Sequence, residues 1–419
     1  MVRPAWEQTA LQELVLAVFV AVYLGMAFGR WPGLRIDRTG IALLGAIVLF
    51  AAGAVSAERV LAAIDFPTLV VLFGLMVLSA QFAACGFYDR VAAAIALTRA
   101  SPATILALVI VVAGLLSAVL ANDVVVWAIT PLLCRGLASR GLDPRPFLIA
   151  LTGAANAGSA ATLIGNPQNI LIGSIGHLDF WAFAAACAPP ALAGLVAVWL
   201  VVRWQWRQAL VPAAGNGGAI ELPPVERSAL LKACFWTVVL LAGFTTPIPH
   251  TTTVLVVAGA LLVSRRFATR RLLGLVDWHL LVLFGGLFVV TTALADTGLP
   301  TIAVGWLEQA GLLPDRLGVL APLALIGSNT IGNVPIVMLI LGILPDLPPG
   351  ALYALAALST LSGNLLIIGS LANIITVERA AEQGVRLGFL DHARAGVPMT
   401  LLALVLAMLW LYLAGYVMI

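Results

Sequence analysis

Apolar runs of about 17 to 25 residues, the length a helix needs to cross a bilayer, recur along the chain near 10–29, 39–57, 66–85, 146–173 and 181–202. A second set follows in the same order near 229–247, 250–264 (short), 277–296, 350–377 and 393–417. Between the third and fourth run of each set lies a different pattern, two apolar arms meeting at a polar break, near 102–135 and 316–345. The arm Val124 to Leu133 has ten residues, about 15 Å of helix against a hydrocarbon core of about 30 Å. The arm Leu317 to Ser328 is only slightly longer. Both breaks are therefore read as re-entrant helical hairpins that enter and leave on one face. Gly86 to Ala100 and Gly298 to Ala310 mix apolar and polar positions, which suits interfacial helices or ordinary loops.

The pattern is doubled in the letters as well. Asp65 to Val77 returns 212 positions later as Asp277 to Val289, keeping the Asp, two Leu, two Val and a Gly. The stretch Ile164-Gly165-Asn166-Pro167-Gln168-Asn169-Ile170 is answered, 204 positions on, by Ile368-Gly369-Ser370-Leu371-Ala372-Asn373-Ile374. The chain thus divides into a first repeat, 1–202, a turn-rich linker, 203–228, and a second repeat, 229–419. Five crossings plus a hairpin is an odd number, so the second repeat is expected upside down relative to the first. The basic residues test this. With the termini on one face, that face receives Arg3, Arg59 and Arg316, and the other 19 of the 22 Lys and Arg fall on the opposite face. Positive-inside reasoning places the richer face in the cytoplasm and both termini outside.

Composition agrees. Hydrophobic residues make up 62% and charged residues 10%, and the mean hydropathy is +1.08, more apolar area than one soluble core can hide. The expected class is an all-α, multi-pass protein of the cytoplasmic membrane. A net charge of +3 does not imply nucleic acid. Cys85, Cys134, Cys187 and Cys234 lack CxxC or Cys/His spacing, so they read as buried small hydrophobes and not as zinc ligands or a disulfide framework. The first apolar run has no small-residue cleavage site before or after it and reads as a retained helix.

Four polar breaks carry the candidate chemistry: Ala121-Asn122-Asp123, Gly165-Asn166-Pro167-Gln168-Asn169, Ser328-Asn329-Thr330-Ile331-Gly332-Asn333, and Gly369-Ser370-Leu371-Ala372-Asn373. Interrupted backbone at membrane depth is tolerated only where protein or a wet cavity satisfies it. An inverted repeat brings the four together near the midplane. There, half-helix N-termini present N–H groups to an anion while freed carbonyls present oxygen to a cation. A single such break is more simply a kink with an Asn cap; four in register favour a site.

Asp123 alone among the 19 acidic residues maps away from an interface, and a charge there costs about 2.5 to 3.5 kcal/mol on insertion scales. Either a cation such as Na+ sits against it, or it holds a proton because the neutral form tolerates the loss of water better. Capping of the second hairpin arm is compatible with both. Asp65 and Asp277 each precede a crossing and read as N-caps. His177, His250, His279 and His392 map to loops or helix ends, giving no histidine relay.

The Ala-Asn-Asp tip, the run Gly158 to Asn169, the Ser328-Asn329-Thr330 tip and Gly332-Asn333-Val334-Pro335 resemble the ion transporter superfamily. That group includes divalent-anion/sodium symporters, arsenite permeases and sodium/proton antiporters. The resemblance covers nearly the whole chain. It implies a homodimer in which hairpins and broken helices form a transport domain that moves as an elevator beside a scaffold domain. Carried over, Asn122 and Asp123 with Gly165, Asn166 and Asn169 form one half-site. Ser328, Asn329, Thr330 and Asn333 with Gly369, Ser370 and Asn373 form the other. The substrate is expected to meet Asn122, Asn166, Asn169, Ser328, Asn329, Thr330, Asn333, Ser370 and Asn373. The coupling ion, Na+ or H+, is expected to meet Asp123, Asn122, Gly165, Asn169, Gly369 and Asn373, with Asp123 as the candidate Na+ ligand. This sequence departs from the symporters in having Ala-Asn-Asp where they have Ser-Asn-Thr, and in lacking Pro at the second helix break.

The expectation is an ion-coupled secondary transporter of a small anion or oxyanion, with no cofactor beyond the coupling ion. Arsenite or antimonite efflux by proton exchange, and Na+/H+ antiport, remain open; a neutral arsenite species suits a site with no Lys or Arg at depth. The polar residues cluster at breaks without lining whole helices, which argues against a channel. No HExxH or GxSxG motif supports an enzyme.

Overall fold

The computed structural model describes residues 5–29, 31, 33–210 and 222–418, the side chains of 5–8 excepted. The first ten helices are α1 (Ala5–Phe28), α2 (Arg38–Ala51), α3 (Ala57–Ala63), α4 (Phe66–Ala84), α5 (Phe87–Leu97), α6 (Pro102–Val119), α7 (Asn122–Ser139), α8 (Pro144–Ser159), α9 (Pro167–Ile175) and α10 (Phe180–Gln205). The same order of long and short elements then recurs as α11 (Arg227–Gly243), α12 (His250–Leu262), α13 (Thr269–Leu273), α14 (Trp278–Asp296), α15 (Leu299–Gln309), α16 (Leu317–Thr330), α17 (Asn333–Ile343), α18 (Pro349–Ser362), α19 (Leu371–Ala381) and α20 (Phe389–Leu413). One short 3-10 turn, Ile367–Gly369, lies between α18 and α19. Polar residues start many of these helices for a local reason. Asp37, Ser56, Ser101, Asp143 and Asp179 each accept a hydrogen bond from a first-turn N–H that would otherwise be orphaned, worth about 1 kcal/mol each.

Among the described residues six helices are long and apolar enough to cross a membrane: the Thr9–Phe28 part of α1, α4, α6, α10, α14 and α20. α2 and α12, counted as crossings from the sequence, are shorter, with 14 and 13 residues. The run 39–57 is cut at Ala51 because Gly53, at φ +70°, turns the chain before Ser56 caps α3. The first hairpin also differs from expectation. Its arms, α6 and α7, have 18 residues each, about 27 Å of helix, so they are not too short to span. The apolar stretch Val124 to Leu133 is only the middle of α7, which runs on through Arg135 and Ser139. The second pair, α16 and α17, has 14 and 11 residues. The stretches after Gly86 and Gly298 are helices, α5 and α15, each entered through a glycine at positive φ, +79° and +73°. Much of the expected linker, 211–221, lies outside the described residues.

The packing is reciprocal between the two series. α2 lies against α14 and α4 against α12; α7 lies against α19 and α17 against α9. α8 and α18 form the centre: every residue from Pro146 to Ser159 and from Ala351 to Ser362 is buried. Small residues allow that closeness, since a Cβ on Gly158 would sit 2.2 Å from the Gly114 carbonyl oxygen of α6. The outer surface is apolar, with Leu231, Phe235 and Val238 of α11 and Leu401, Val405, Leu409 and Leu413 of α20 all exposed, as lipid contact requires. Cys85, Cys134 and Cys187 are buried as expected, but Cys234 lies on this outer surface.

Candidate functional site

The crossing expected at 146–173 is interrupted between α8 and α9, and the one at 350–377 between α18 and α19. At the first interruption Asn166 takes an extended conformation, φ −154° and ψ 162°, and its Oδ1 accepts from the Asn169 N–H at 2.9 Å. Pro167 follows at the first helical position, where a missing N–H loses nothing. Asn169 Nδ2 then donates to the carbonyls of Ser159 (3.1 Å) and Thr162 (2.9 Å), stitching α9 to the frayed end of α8. At the second interruption Asn373 Nδ2 donates to the carbonyls of Gly363 (2.8 Å) and Leu366 (3.0 Å). The two asparagines thus reach back the same 10 and 7 residues.

The breaks also exchange partners across the halves. Asn166 Nδ2 donates to Thr360 Oγ1 at 3.3 Å, and Ser370 Oγ donates to Asn156 Oδ1 at 2.9 Å. Each of these pairs joins a break residue to the central helix of the other series. Asn156 is the hub: its Nδ2 also donates to Asn364 Oδ1 (2.8 Å) and Asn373 Oδ1 (3.3 Å), and its Oδ1 accepts from Asn122 Nδ2 at 3.3 Å. Neither Asn156, Asn364 nor Thr360 was singled out from the sequence. The available signal was a lone Asn in an otherwise apolar buried helix, where an unpaired amide would be costly.

The hairpin tips dock onto this cluster. Ala121 N–H donates to Ser79 Oγ of α4 at 3.2 Å. Ser328 Oγ donates to the Ser359 carbonyl at 3.2 Å. Asn329 Nδ2 donates to the Leu325 and Ser362 carbonyls at 2.9 and 2.8 Å, and its Oδ1 accepts from Leu366 N–H at 3.2 Å. Asn333 follows Gly332, whose φ of +103° only glycine adopts easily. Its Nδ2, turned toward the acceptors, donates to Gly369 O at 2.8 Å, Ser328 Oγ at 3.1 Å and Ser359 O at 3.2 Å. Thr330 is not brought in: it is exposed, and its hydroxyl donates to Ile326 O of its own helix.

Two adjoining cavities separate the expected residues into two kinds. The larger, about 450 Å³, is lined by Asn122, Asp123, Asn333, Gly369 and Ser370; the smaller, about 290 Å³, by Asp123 and Asn166. Gly165, Asn169, Ser328, Asn329 and Asn373 line neither, and the last four brace the interrupted backbone through their side chains. The larger cavity collects the first residues of α7, α9, α17 and α19, and also those of α2 and α14. Six helix N-termini at one void make a positive field.

Two expectations about charge are corrected here. Asp123 is not alone, because Asp277 lines both cavities with it, within electrostatic reach. Asp277 also caps α14 as expected, accepting from Leu280 N–H at 3.0 Å, whereas Asp65 accepts from the Thr68 hydroxyl and no backbone N–H. Nor does the site lack a basic residue: Arg38, at the head of α2, lines the larger cavity and donates from Nε to Met26 O at 3.2 Å. Both surprises have one origin: the starts of α2 and α14 line the same cavity as the hairpin tips and helix breaks, a juxtaposition that hydropathy does not report.

The model of the citrate transporter family, CitMHS, matches residues 23–347. The chain belongs to that family. It is 31% identical over 437 residues to an uncharacterised transporter of Mycobacterium tuberculosis, covering 96% of this chain and 99% of that one. It is 28% identical over 475 residues to the silicon efflux transporter LSI3 of Oryza sativa subsp. japonica, covering 94% and 97%. The YdaH transporter of Alcanivorax borkumensis superposes over 98% of both chains with a TM-score of 0.60 at 14% identity, a likeness of fold alone. The resemblance to the ion transporter superfamily is thereby borne out. This CitMHS-family chain is a multi-pass membrane transporter and not an enzyme.

Proposed function

We propose that the protein is a secondary active transporter of a small anion or oxyanion, coupled to Na+ or H+ through Asp123. The observation that carries this reading is the convergence of six helix N-termini and Arg38 on one cavity that also holds Asp123. N–H dipoles and a guanidinium attract an anion, while the carboxylate needs a cation or proton to share the space. A volume of about 450 Å³ suits a small-molecule ligand. The substrate ligands are then Asn122, Asn333, Ser370 and the freed N–H groups, with Asn166 at the neighbouring cavity.

In this reading 1–202 and 229–419 are inverted repeats, and the reciprocal exchange between Asn166–Thr360 and Ser370–Asn156 supports a two-fold relation. The hairpins, broken helices, α10 and α20 pack together as the moving part, with α1–α4 and α11–α14 as scaffold. The functional unit is a homodimer in the cytoplasmic membrane with both termini outside. A second reading, export of an oxyacid such as arsenite or antimonite in exchange for protons, is favoured by the silicon efflux named for the rice relative.

Proteoliposome flux across carboxylates, sulfate, arsenite, antimonite and sodium, each under an imposed sodium or pH gradient, tests the proposal. A saturable flux driven by one gradient is expected. The Asp123→Asn variant should fold normally yet lose gradient-driven transport. Sodium and pH dependence unchanged in that variant would remove Asp123 from the mechanism.

A further inference from the structure

Asp277 was expected to do no more than start a helix, and it does start α14. A capping carboxylate uses one oxygen. Its Oδ1 takes the Leu280 N–H, and among the described residues nothing donates to Oδ2. Among the described residues nothing donates a hydrogen bond to Asp123, and no cationic side chain lies within 4.0 Å of either carboxylate. Two acceptor-only groups, each with a free oxygen, therefore line the same two cavities. A third oxygen joins them. Asn122 is 95% buried and lines the larger cavity, and its Oδ1 has no partner while its Nδ2 is held by Asn156. One buried oxygen without a partner, beside two half-buried carboxylates with free oxygens, makes a set that a positive ligand would complete.

We propose that a monovalent cation, Na+ or H+, binds between Asp123 on the first hairpin tip and Asp277 at the head of α14, with Asn122 Oδ1 as the neutral ligand. This rests on the coupling role given to Asp123 above and adds the second carboxylate. The placement has a mechanical consequence. Asp123 belongs to the hairpin that packs with the broken helices, and Asp277 to a helix packed on α2. A cation shared across that seam draws hairpin and scaffold together, and an unloaded pair of like charges pushes them apart. The other charged or titratable groups facing this space are Asp37 and Arg38 on α2, His279 on α14 and Glu378 on α19. Asp37 is engaged by the Gly40 N–H and Arg38 by the Met26 carbonyl.

The test exploits the fact that Asn caps a helix as well as Asp does. Asp277→Asn removes the charge and keeps the cap, so a merely structural role leaves the ion dependence unmoved. In reconstituted full-length protein the variant is expected to weaken the coupling ion about tenfold, the effect of losing one nearby carboxylate. If the ion is sodium, its half-saturating concentration rises about tenfold at fixed pH. If it is a proton, the midpoint of the pH profile falls by about one unit. Asp277→Ser, which also caps, should reproduce the shift and serves if the Asn variant does not fold; Asp277→Glu should largely restore the parent behaviour. An unmoved sodium curve together with an unmoved pH profile in Asp277→Asn or Asp277→Ser overturns the inference. Should Asp123→Asn still abolish coupling in that case, only the shared site falls; should Asp123→Asn also be silent, the coupling reading falls with it.

Discussion

At Gly165 the backbone of the first break passes so near Ser159 that a Cβ would lie 2.2 Å from its carbonyl oxygen and 2.7 Å from its Cα. Backbone cannot yield as a side-chain tip can, so the break has to open. Gly165→Ala is expected to destabilise the protein by about 1 to 3 kcal/mol and to weaken the Asn169 bonds to Ser159 and Thr162. A thermal melt in detergent, compared with Gly285→Ala where nothing lies within 4 Å, measures it; equal melting temperatures would refute the close approach. Gly-Asn-Pro was legible as an interruption because Pro and Gly act on the backbone directly. The division of labour among the asparagines was not. Asn122 faces a cavity and Asn169 braces carbonyls, and only the direction of a side chain distinguishes them. Asn156 went unnoticed because no break surrounds it, although four amide or hydroxyl groups meet on its side chain.

Among elements, one side chain bonds the end of α5 to the first hairpin. Arg140, just past α7, donates to the carbonyls of Ala96 (3.1 Å), Thr98 (2.7 Å) and Ala100 (3.3 Å), satisfying orphaned acceptors at the end of α5. α5 also packs along α7, so it should travel with the hairpin. Arg140→Ala is expected to cost about 1 to 3 kcal/mol, the range for hydrogen bonds to a charged group. Amide exchange should accelerate at residues 95–101 and stay unchanged in α8. Uniform protection across both segments would show the clamp to be dispensable. The mixed polarity of α5 and α15 leaves helix and loop equally open in the sequence, and a glycine marks each helix start. The full length of α7 escapes a count of hydropathy alone, because polar residues at the end of a helix look like loop. Tertiary contact with α8 and α19 keeps α7 helical through Ser139.

At the scale of the whole molecule a third cavity, about 590 Å³, lies along the seam between α4 and α9, lined by Val71, Ser174, His177 and His250 among others. It shares two wall residues with the 290 Å³ cavity that holds Asp123: Ile164 and Ile170. These two apolar side chains thus form part of the wall between a space lined by the carboxylates and a space along α9. The hydropathy pattern gives no sign of this shared wall, since two isoleucines between cavities look like any other core. Alternating access by an elevator requires α9 to slide along α4, which would carry Ile164 and Ile170 past Val71 and connect one cavity or the other to the site. A tether tests this. Cys234 is the exposed native cysteine and is first replaced by Ser; Cys85, Cys134 and Cys187 are buried. Val71→Cys and Ser174→Cys are then joined across the third cavity by a cleavable thiol reagent. Transport is expected to stop on joining and to return on cleavage, with substrate binding retained because neither position touches Asn122, Asp123 or Asp277. Undiminished flux in the joined protein would mean that α4 and α9 keep their places during the cycle, and that access changes by local motion of the hairpin tips alone.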